Sequence, residues 1–301
     1  MSAPELSIGI VSWNTRDLLD ACLRSIAGAP DAVRREVIVV DNASSDGTVE
    51  MVRRNHAGVT LVANSENRGY AAGNNQAIEA ARGGLILLLN PDIVVHPGAL
   101  DALVGLLDAR HEAGAVAPRL ILPDGSVQAS CRSFPTPDVV SYEALGLSRL
   151  FPRSRRFGKY RMTWWDYDDE RPVDQPMASA FMVRREVLDQ VGGMDEGFPI
   201  FFNDVDLCRR VREAGWEIWF TPRASMDHVG GAATSQVRRR MLGESYRSFV
   251  RFYRKYYRGR LPWWQYAGAR ALLWAGYRVR TLAHDLSRLL RGRAGADPGG
   301  S

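Results

Sequence analysis

EVIVVDNASSDGT, residues 36–48, decides how this chain is read. A β-branched apolar run closes on Asp41 and passes directly into a polar, turn-forming loop, the pattern of a buried strand. Working outward, residues 6–12 (LSIGIVS) read as a second buried strand. Residues 15–26 read as a helix, with Leu18, Leu19, Cys22, Leu23 and Ile26 at helical spacing. Residues 46–55 continue as a helix with Ser44 or Ser45 as cap, 59–63 as a strand, 70–81 as a helix and 85–89 as a strand. Short strands separated by helices predict βαβ units, a parallel sheet and the α/β class. Ligands of such sheets bind beyond the carboxyl ends of the strands. The residues there are Trp13-Asn14, Asp41-Asn42, the stretch 64–68 ending in Arg68, and Asn90-Pro91-Asp92.

Beyond this region, residues 119–130 read as a hairpin around Pro123-Asp124-Gly125. Residues 134–176 are irregular and rich in Pro, Arg and aromatics, which fits either a lid over the site or a surface insertion. Residues 177–183 read as a strand, 185–191 as a short helix stopped by Gly192-Gly193, 204–214 as a helix and 217–220 as a strand. The chain has 301 residues and three widely spaced cysteines, which form neither a disulfide framework nor a zinc pattern. Reduced, cytosolic thiols are the expectation. The first residues lack a signal-peptide pattern, and no apolar run is long enough to span a bilayer.

Charge divides the chain. Residues 237–293 hold fifteen Lys and Arg against two acids, a net +13, so the remainder carries −8 of the total +5. Phe249, Phe252, Tyr253, Tyr256, Tyr257, Trp263, Trp264 and Trp274 are interleaved with these cations. Amphipathic helices lying in a lipid headgroup layer are the expectation. A helical dimerisation arm is the rival, leaving a homo-oligomer open, and the lack of any nucleic-acid-binding motif speaks against nucleic acid.

The blocks VSWN (11–14), VDNASSDGT (40–48), ENRGYAAGNN (66–75), LLLNPD (87–92), GGMDEGFPIFFNDVDLCRRVREAGW (192–216) and DHVGG (227–231) occur in order. In this the chain resembles the family 2 glycosyltransferases, and among them the rhamnosyltransferase-like branch. The resemblance implies a GT-A (nucleotide-diphospho-sugar transferase) fold, a Rossmann-like mixed sheet, over residues 1–235. A basic, aromatic-rich helical appendage over 236–301 then follows. It also implies an inverting transferase that uses Mg2+ or Mn2+ and moves a sugar, rhamnose from its dTDP form, to a glycan or polyprenyl-linked acceptor in cell-surface polysaccharide synthesis. Such an enzyme would sit peripherally at the cytoplasmic face of the cell membrane. A UDP-hexose or UDP-N-acetylhexosamine transferase on the same scaffold, or an inactive nucleotide-sugar-binding module, are the other readings.

By this resemblance the donor is held by Val11, Trp13, Asn14, Asp41, Arg68, Gly69, Gly73, Asn74, Asn90 and Asp92. A carboxylate at Asp41 accepts a pyrimidine imide N–H, or merely caps the following turn. Gly69 and Gly73 let a helix start approach a diphosphate, or serve ordinary packing. Asp92 offers a hard oxygen to a divalent cation, or caps the next helix. His228 completes a mixed Asp/His metal site, or is a surface or core histidine. Asp204 is assigned the general base, although acids in a first helical turn are common for dipole reasons alone. Asn90 and Asn203 stand where many relatives have acids, and Asp206 reads as structural, paired with an arginine.

Overall fold

The computed structural model describes residues 4–230 and 238–294, apart from the side chains at 238–240, 280 and 283–294. Gly231 of the last sequence block, and part of the C-terminal positive charge, lie outside the described residues. The chain runs β1 (Leu6–Ser12), α1 (Arg16–Gly28), β2 (Arg35–Asp41), α2 (Thr48–Asn55), β3 (Thr60–Ala63), α3 (Tyr70–Ala80), β4 (Leu85–Leu89), β5 (Ile93–Val95), α4 (Ala99–Ala109), β6 (Ala113–Ile121), β7 (Cys131–Arg132), α5 (Pro137–Ala144), α6 (Leu147–Leu150), β8 (Arg171–Pro172), β9 (Gln175–Pro176), β10 (Ala180–Arg184), α7 (Arg185–Val191), α8 (Asn203–Glu213), β11 (Glu217–His228), α9 (Arg238–Tyr257) and α10 (Trp263–Ala294).

The main sheet has the order β3-β2-β1-β4-β10-β6-β11-β5, with β8 added on β11. β3, β2, β1 and β4 are parallel. β10 then lies antiparallel to both β4 and β6, so the sheet is mixed, as the resemblance implies. Alternation along each strand feeds two cores. Leu6, Ile8 and Ile10 meet Leu19, Cys22 and Leu23 of α1 on one face, while Val11 meets Ala71 and Ala77 of α3 on the other. The cysteines are free and buried, and burial pushes the Cys131 thiol up to about 12, so none is a poised nucleophile.

Three expectations change. β11 extends from 217 to His228, because a register shift between Thr221 and Ser225 lets the strand continue along β6 and then pair with β5. The 134–176 stretch is anchored at both ends, where Phe134, Trp165, Tyr167 and Val173 belong to the core, while Leu145, Leu150 and Phe151 in its middle are exposed. The Trp165 and Tyr167 rings stack at 4.0 Å, and both meet Phe220 edge-on.

The third change concerns the aromatics near the C-terminus. Phe249, Phe252, Tyr253, Tyr256 and Tyr257 fall at helical i, i+3, i+4, i+7, i+8 spacing, the signature of one apolar stripe. That stripe faces the main core: Phe252 and Tyr253 are wholly buried, and Tyr256 and Tyr257 nearly so. The expected headgroup contact of these rings is therefore corrected. The exposed aromatics are Trp263, Trp264 and Trp274 of α10. Phe252→Ala should cost about 3–5 kcal/mol of unfolding free energy in a denaturant titration. An unchanged transition would mean that α9 does not share the core.

Candidate active site

The carboxyl ends of β1 and β2 are stitched together by their loops. Asn14, at φ 52°, donates its backbone N–H to Ser44 Oγ at 2.9 Å and accepts the Ser45 N–H on Oδ1 at 2.8 Å. Trp13 precedes it, half-buried. Asp41 is buried; its Oδ2 accepts the Ser44 N–H at 2.9 Å, so the turn-capping role is real. Its Oδ1 is also buried and has no partner. A buried carboxylate oxygen left unpaired is costly, which marks a place for an incoming donor.

The start of α3 is arranged differently from a diphosphate cradle. The Tyr70 and Ala71 amides both point at Pro199 O, at 2.8 and 3.2 Å. Gly69 has φ +89°, and a Cβ there would meet Pro199; a Cβ on Gly73 would lie 2.7 Å from Val11 Cγ1. Both glycines thus serve close packing, and Val11 is the wall against which Gly73 fits. Asn74 is buried, donates to Tyr70 O, and keeps Oδ1 without a partner. Arg68 is exposed and, among the described residues, has no side-chain partner.

At the end of β4, Asn90 bridges. Its backbone N–H reaches Ser179 O at 2.8 Å, its Oδ1 lies 2.9 Å from the Tyr70 hydroxyl, and its Nδ2 faces Ser179 Oγ at 3.3 Å. Asp92 is buried, with Oδ2 accepting the Gly230 N–H at 3.1 Å. Its Oδ1 is buried without a hydrogen bond, 3.5 Å from His228 Nε2. His228 is buried at the end of β11, and its Nδ1 lies 2.7 Å from Gln128 Oε1. With Gln128 Oε1 as acceptor, Nδ1 is the donor, and Nε2 is the ring nitrogen turned toward Asp92. Among the described residues no group of three His, Cys, Asp or Glu forms a complete cation cage. An orphaned carboxylate oxygen and an imidazole nitrogen do fit a cation whose other ligands are diphosphate oxygens and water, as Mg2+ prefers.

Asp204 sits in the first turn of α8. Burial raises its carboxyl above the ordinary range, while the Val205 and Ala178 backbone N–H groups and the Arg132 charge pull it back. The Tyr70 hydroxyl donates toward Asn90 Oδ1 and Ala178 O, and its own titration is raised by burial and by the charges of Asp204 and Asp92. The residue before the helix, Phe202, has φ 67°, a left-handed conformation that costs a non-glycine residue about 1–3 kcal/mol and recurs at functional sites. Rings of Phe249 and Phe252 in α9 hold it, with centroids 4.8 and 5.5 Å away. Asp206, as expected, is structural: it accepts from Arg210 Nε and from the Tyr256 hydroxyl, each at 2.8 Å.

The two asparagines now have reasons. Asn203 Nδ2 donates to Phe198 O at 3.1 Å and Ile200 O at 3.0 Å, which a carboxylate could not do. Asn90 accepts from Tyr70 without adding a third charge between Asp92 and Asp204. The sequence reading passed over Tyr70, Gln128 and Arg132 as site residues. Tyr70 lies inside a named block, but nothing in the local pattern points to the other two.

The sequence model described as Glycosyl transferase family 2 matches residues 7–192. The chain is 31% identical, over 76% of its length and 76% of the relative's, to the N-acetylglucosaminyl-diphospho-decaprenol L-rhamnosyltransferase of Mycobacterium tuberculosis strain H37Rv. It is 25% identical to the low-salt glycan biosynthesis hexosyltransferase Agl10 of Haloferax volcanii, over 69% of this chain and 62% of that one. Its fold is similar to the mannosyltransferase PcManGT from Pyrobaculum calidifontis, solved with GDP-Man and Mn2+ (TM-score 0.58, 20% identity, 98% of this chain and 81% of that chain). It is also similar to GalNAc-T7, solved with UDP, GalNAc and Mn2+ (TM-score 0.56, 14% identity), spanning 76% of this chain but only 44% of that longer one. With the family's model covering more than half the chain and strand-end acids gathered on a mixed sheet, this protein belongs to glycosyltransferase family 2 and is a glycosyltransferase.

Proposed function

We propose that the chain transfers rhamnose from dTDP-rhamnose, with inversion, to a sugar carried on a polyprenyl diphosphate. The observation that carries this reading is the pair of buried carboxylate oxygens without a hydrogen bond, Asp41 Oδ1 and Asp92 Oδ1, beyond the carboxyl ends of β2 and β4 in one sheet. Asp41 suits the imide N–H of a pyrimidine base. Asp92 and His228 would hold Mg2+ or Mn2+ against the donor diphosphate. A cation bound there supplies Lewis-acid stabilisation of the negative charge on the leaving group. The rhamnosyltransferase name of the mycobacterial relative supports the sugar and the lipid-linked acceptor.

In the reaction, the acceptor hydroxyl oxygen attacks the anomeric carbon as Asp204 takes its proton. The bond from that carbon to the phosphate oxygen breaks, and the nucleoside diphosphate departs with the electron pair. A single displacement inverts the centre, as in single-displacement glycosidases. Because only the ionised carboxylate accepts the proton, and burial raises Asp204, the acid limb of kcat/KM should lie above the ordinary aspartate range.

The acceptor's lipid calls for a membrane surface. Among the described residues no helix is long and apolar enough to cross one. Trp263, Trp264, Trp274, Val279 and Leu282 of α10 are exposed, beside arginines of the same helix. Leu145, Leu150 and Phe151, in and around α5 and α6, are exposed too, and α5 lies against α10. This is the composition of a surface that rests in anionic headgroups at the cytoplasmic face of the membrane.

Asp204→Asn should lower turnover with dTDP-rhamnose and a prenyl diphosphate sugar by about 10²–10⁴-fold, with the donor's binding intact. The fold favours the protonated acid, so this residue's contribution to stability falls as pH rises through the window above the unfolded aspartate value. Asp204→Asn should therefore raise Tm at neutral pH. Retained turnover would remove Asp204 as base, and wild-type transfer from UDP-hexoses alone would remove rhamnose as the sugar. Replacing Trp263 and Trp264 together by Ala should lower co-sedimentation with phosphatidylserine-containing vesicles several-fold. Undiminished sedimentation would put the membrane contact elsewhere.

A further inference from the structure

We propose that Arg132 binds the acceptor's diphosphate, reading the charged linkage that joins the acceptor sugar to its carrier. The proposal rests on the transferase reading above and adds the residue that selects the acceptor class.

Strand alternation gives the direction of the side chain. In β7, Cys131 turns inward and is completely buried, so Arg132 turns to the opposite face. There it is half-buried, with its guanidinium 5.7 Å from the centre of the Tyr160 ring. Other partly buried arginines are tied down: Arg119 to Asp168 and Tyr167 O, Arg184 to Ala113 O, Arg185 to Gly83 O, Arg210 to Asp206. Among the described residues the Arg132 guanidinium makes no hydrogen bond and no close ion pair, although the Asp204 charge is near enough to feel it. A partly desolvated cation held only by a ring face is arranged for an anion that arrives from outside.

Its place in the fold says which anion. β7 pairs with β9, Arg132 opposite Gln175, and β9 packs against α8, whose first turn carries Asp204. The Arg132 charge acts on Asp204 and on Tyr160. Asn14 and Asp41, assigned to the donor, follow β1 and end β2 in the parallel half of the main sheet, to which β7 and β9 do not belong. Arg132 therefore belongs to the acceptor half, beside the base that takes the acceptor's proton, while Asp92 and His228 face the donor. A planar guanidinium fork matches phosphate oxygens two at a time, which an ammonium cannot do.

Two diphosphates enter this enzyme, and the test separates them. Steady-state kinetics of Arg132→Gln and Arg132→Lys would use dTDP-rhamnose with two acceptors: the acceptor sugar on a short prenyl diphosphate, and the same sugar as an uncharged alkyl glycoside. The expected result is a KM for the charged acceptor raised about tenfold or more by Gln and less by Lys. KM for the alkyl glycoside and for the donor should stay within about twofold. A raised donor KM would assign Arg132 to the donor diphosphate and overturn the proposal, as would equal losses for both acceptors. Calorimetric titration of the short prenyl diphosphate sugar into wild type and Arg132→Gln reads the same contact without turnover, and equal affinities would overturn it. If wild type transfers to neither acceptor yet this difference in affinity persists, the transferase reading fails and the diphosphate site stands.

Discussion

The hydroxyl of Tyr70 lies 2.9 Å from both Asn90 Oδ1 and Ala178 O, one proton between two acceptors. It joins the start of α3, the end of β4 and the approach to β10. That junction exists because β10 runs antiparallel on β4, Leu89 opposite Ala180, so the amino end of one strand meets the carboxyl end of the other. Had β10 been parallel, Ala178 would lie at the far edge of the sheet and could not present its N–H to Asp204. The parallel half brings Asp41 and Asp92 to the carboxyl edge of the sheet, and the strand reversal brings Ala178 back to that edge beside Tyr70.

Gathering acids has an electrostatic cost that the surrounding residues moderate. Asp41 is separated from Asp92 by the width of the sheet between β2 and β4, with β1 intervening. The charges of Asp92 and Asp204 both act on Tyr70, and the slots beside them hold Asn90 and Asn203, which hydrogen-bond without adding charge. Backbone N–H groups take one oxygen of each acid: Ser44 for Asp41, Gly230 for Asp92, Val205 for Asp204. What stays without a hydrogen bond, Oδ1 on Asp41 and on Asp92, is the part of the site that a donor and its cation would complete. Left-handed Phe202 is a further strain, held by α9 rings rather than by its own helix.

The parallel half of the fold was legible in the sequence because its signals are local. The β-branched run ending in Asp41 and the wholly apolar run ending in Leu89 identify themselves, and the predicted edges of β4 and of the helix at 185–191 coincide with the observed ones. The long β11 was not legible, since its continuation depends on a register shift against β6 that no local pattern encodes. The 134–176 stretch was read as irregular because its order comes from distant partners such as Phe220. Asp204 and His228 came from family likeness rather than spacing; alone, an acid opening a helix carries little information. Gln128, 100 residues before His228, and Arg132, far in sequence from Asp204, became visible only when the strands were assembled.

The C-terminal helices divide their duties. The apolar stripe of α9 closes the core and steadies the entrance to α8 through Phe202 and Asp206, while α10 turns its tryptophans outward. The proposed function assigns one division of labour: Asp41 for the nucleotide's base, Asp92 with His228 for the cation, Asp204 for the acceptor. Diffraction from crystals grown with dTDP and Mn2+, with the manganese located by its anomalous signal, tests that division most directly. The account predicts a manganese peak in contact with Asp92 Oδ1 and His228 Nε2, and the thymine imide against Asp41. Bound nucleotide with its manganese elsewhere, or with its base away from Asp41, would contradict it.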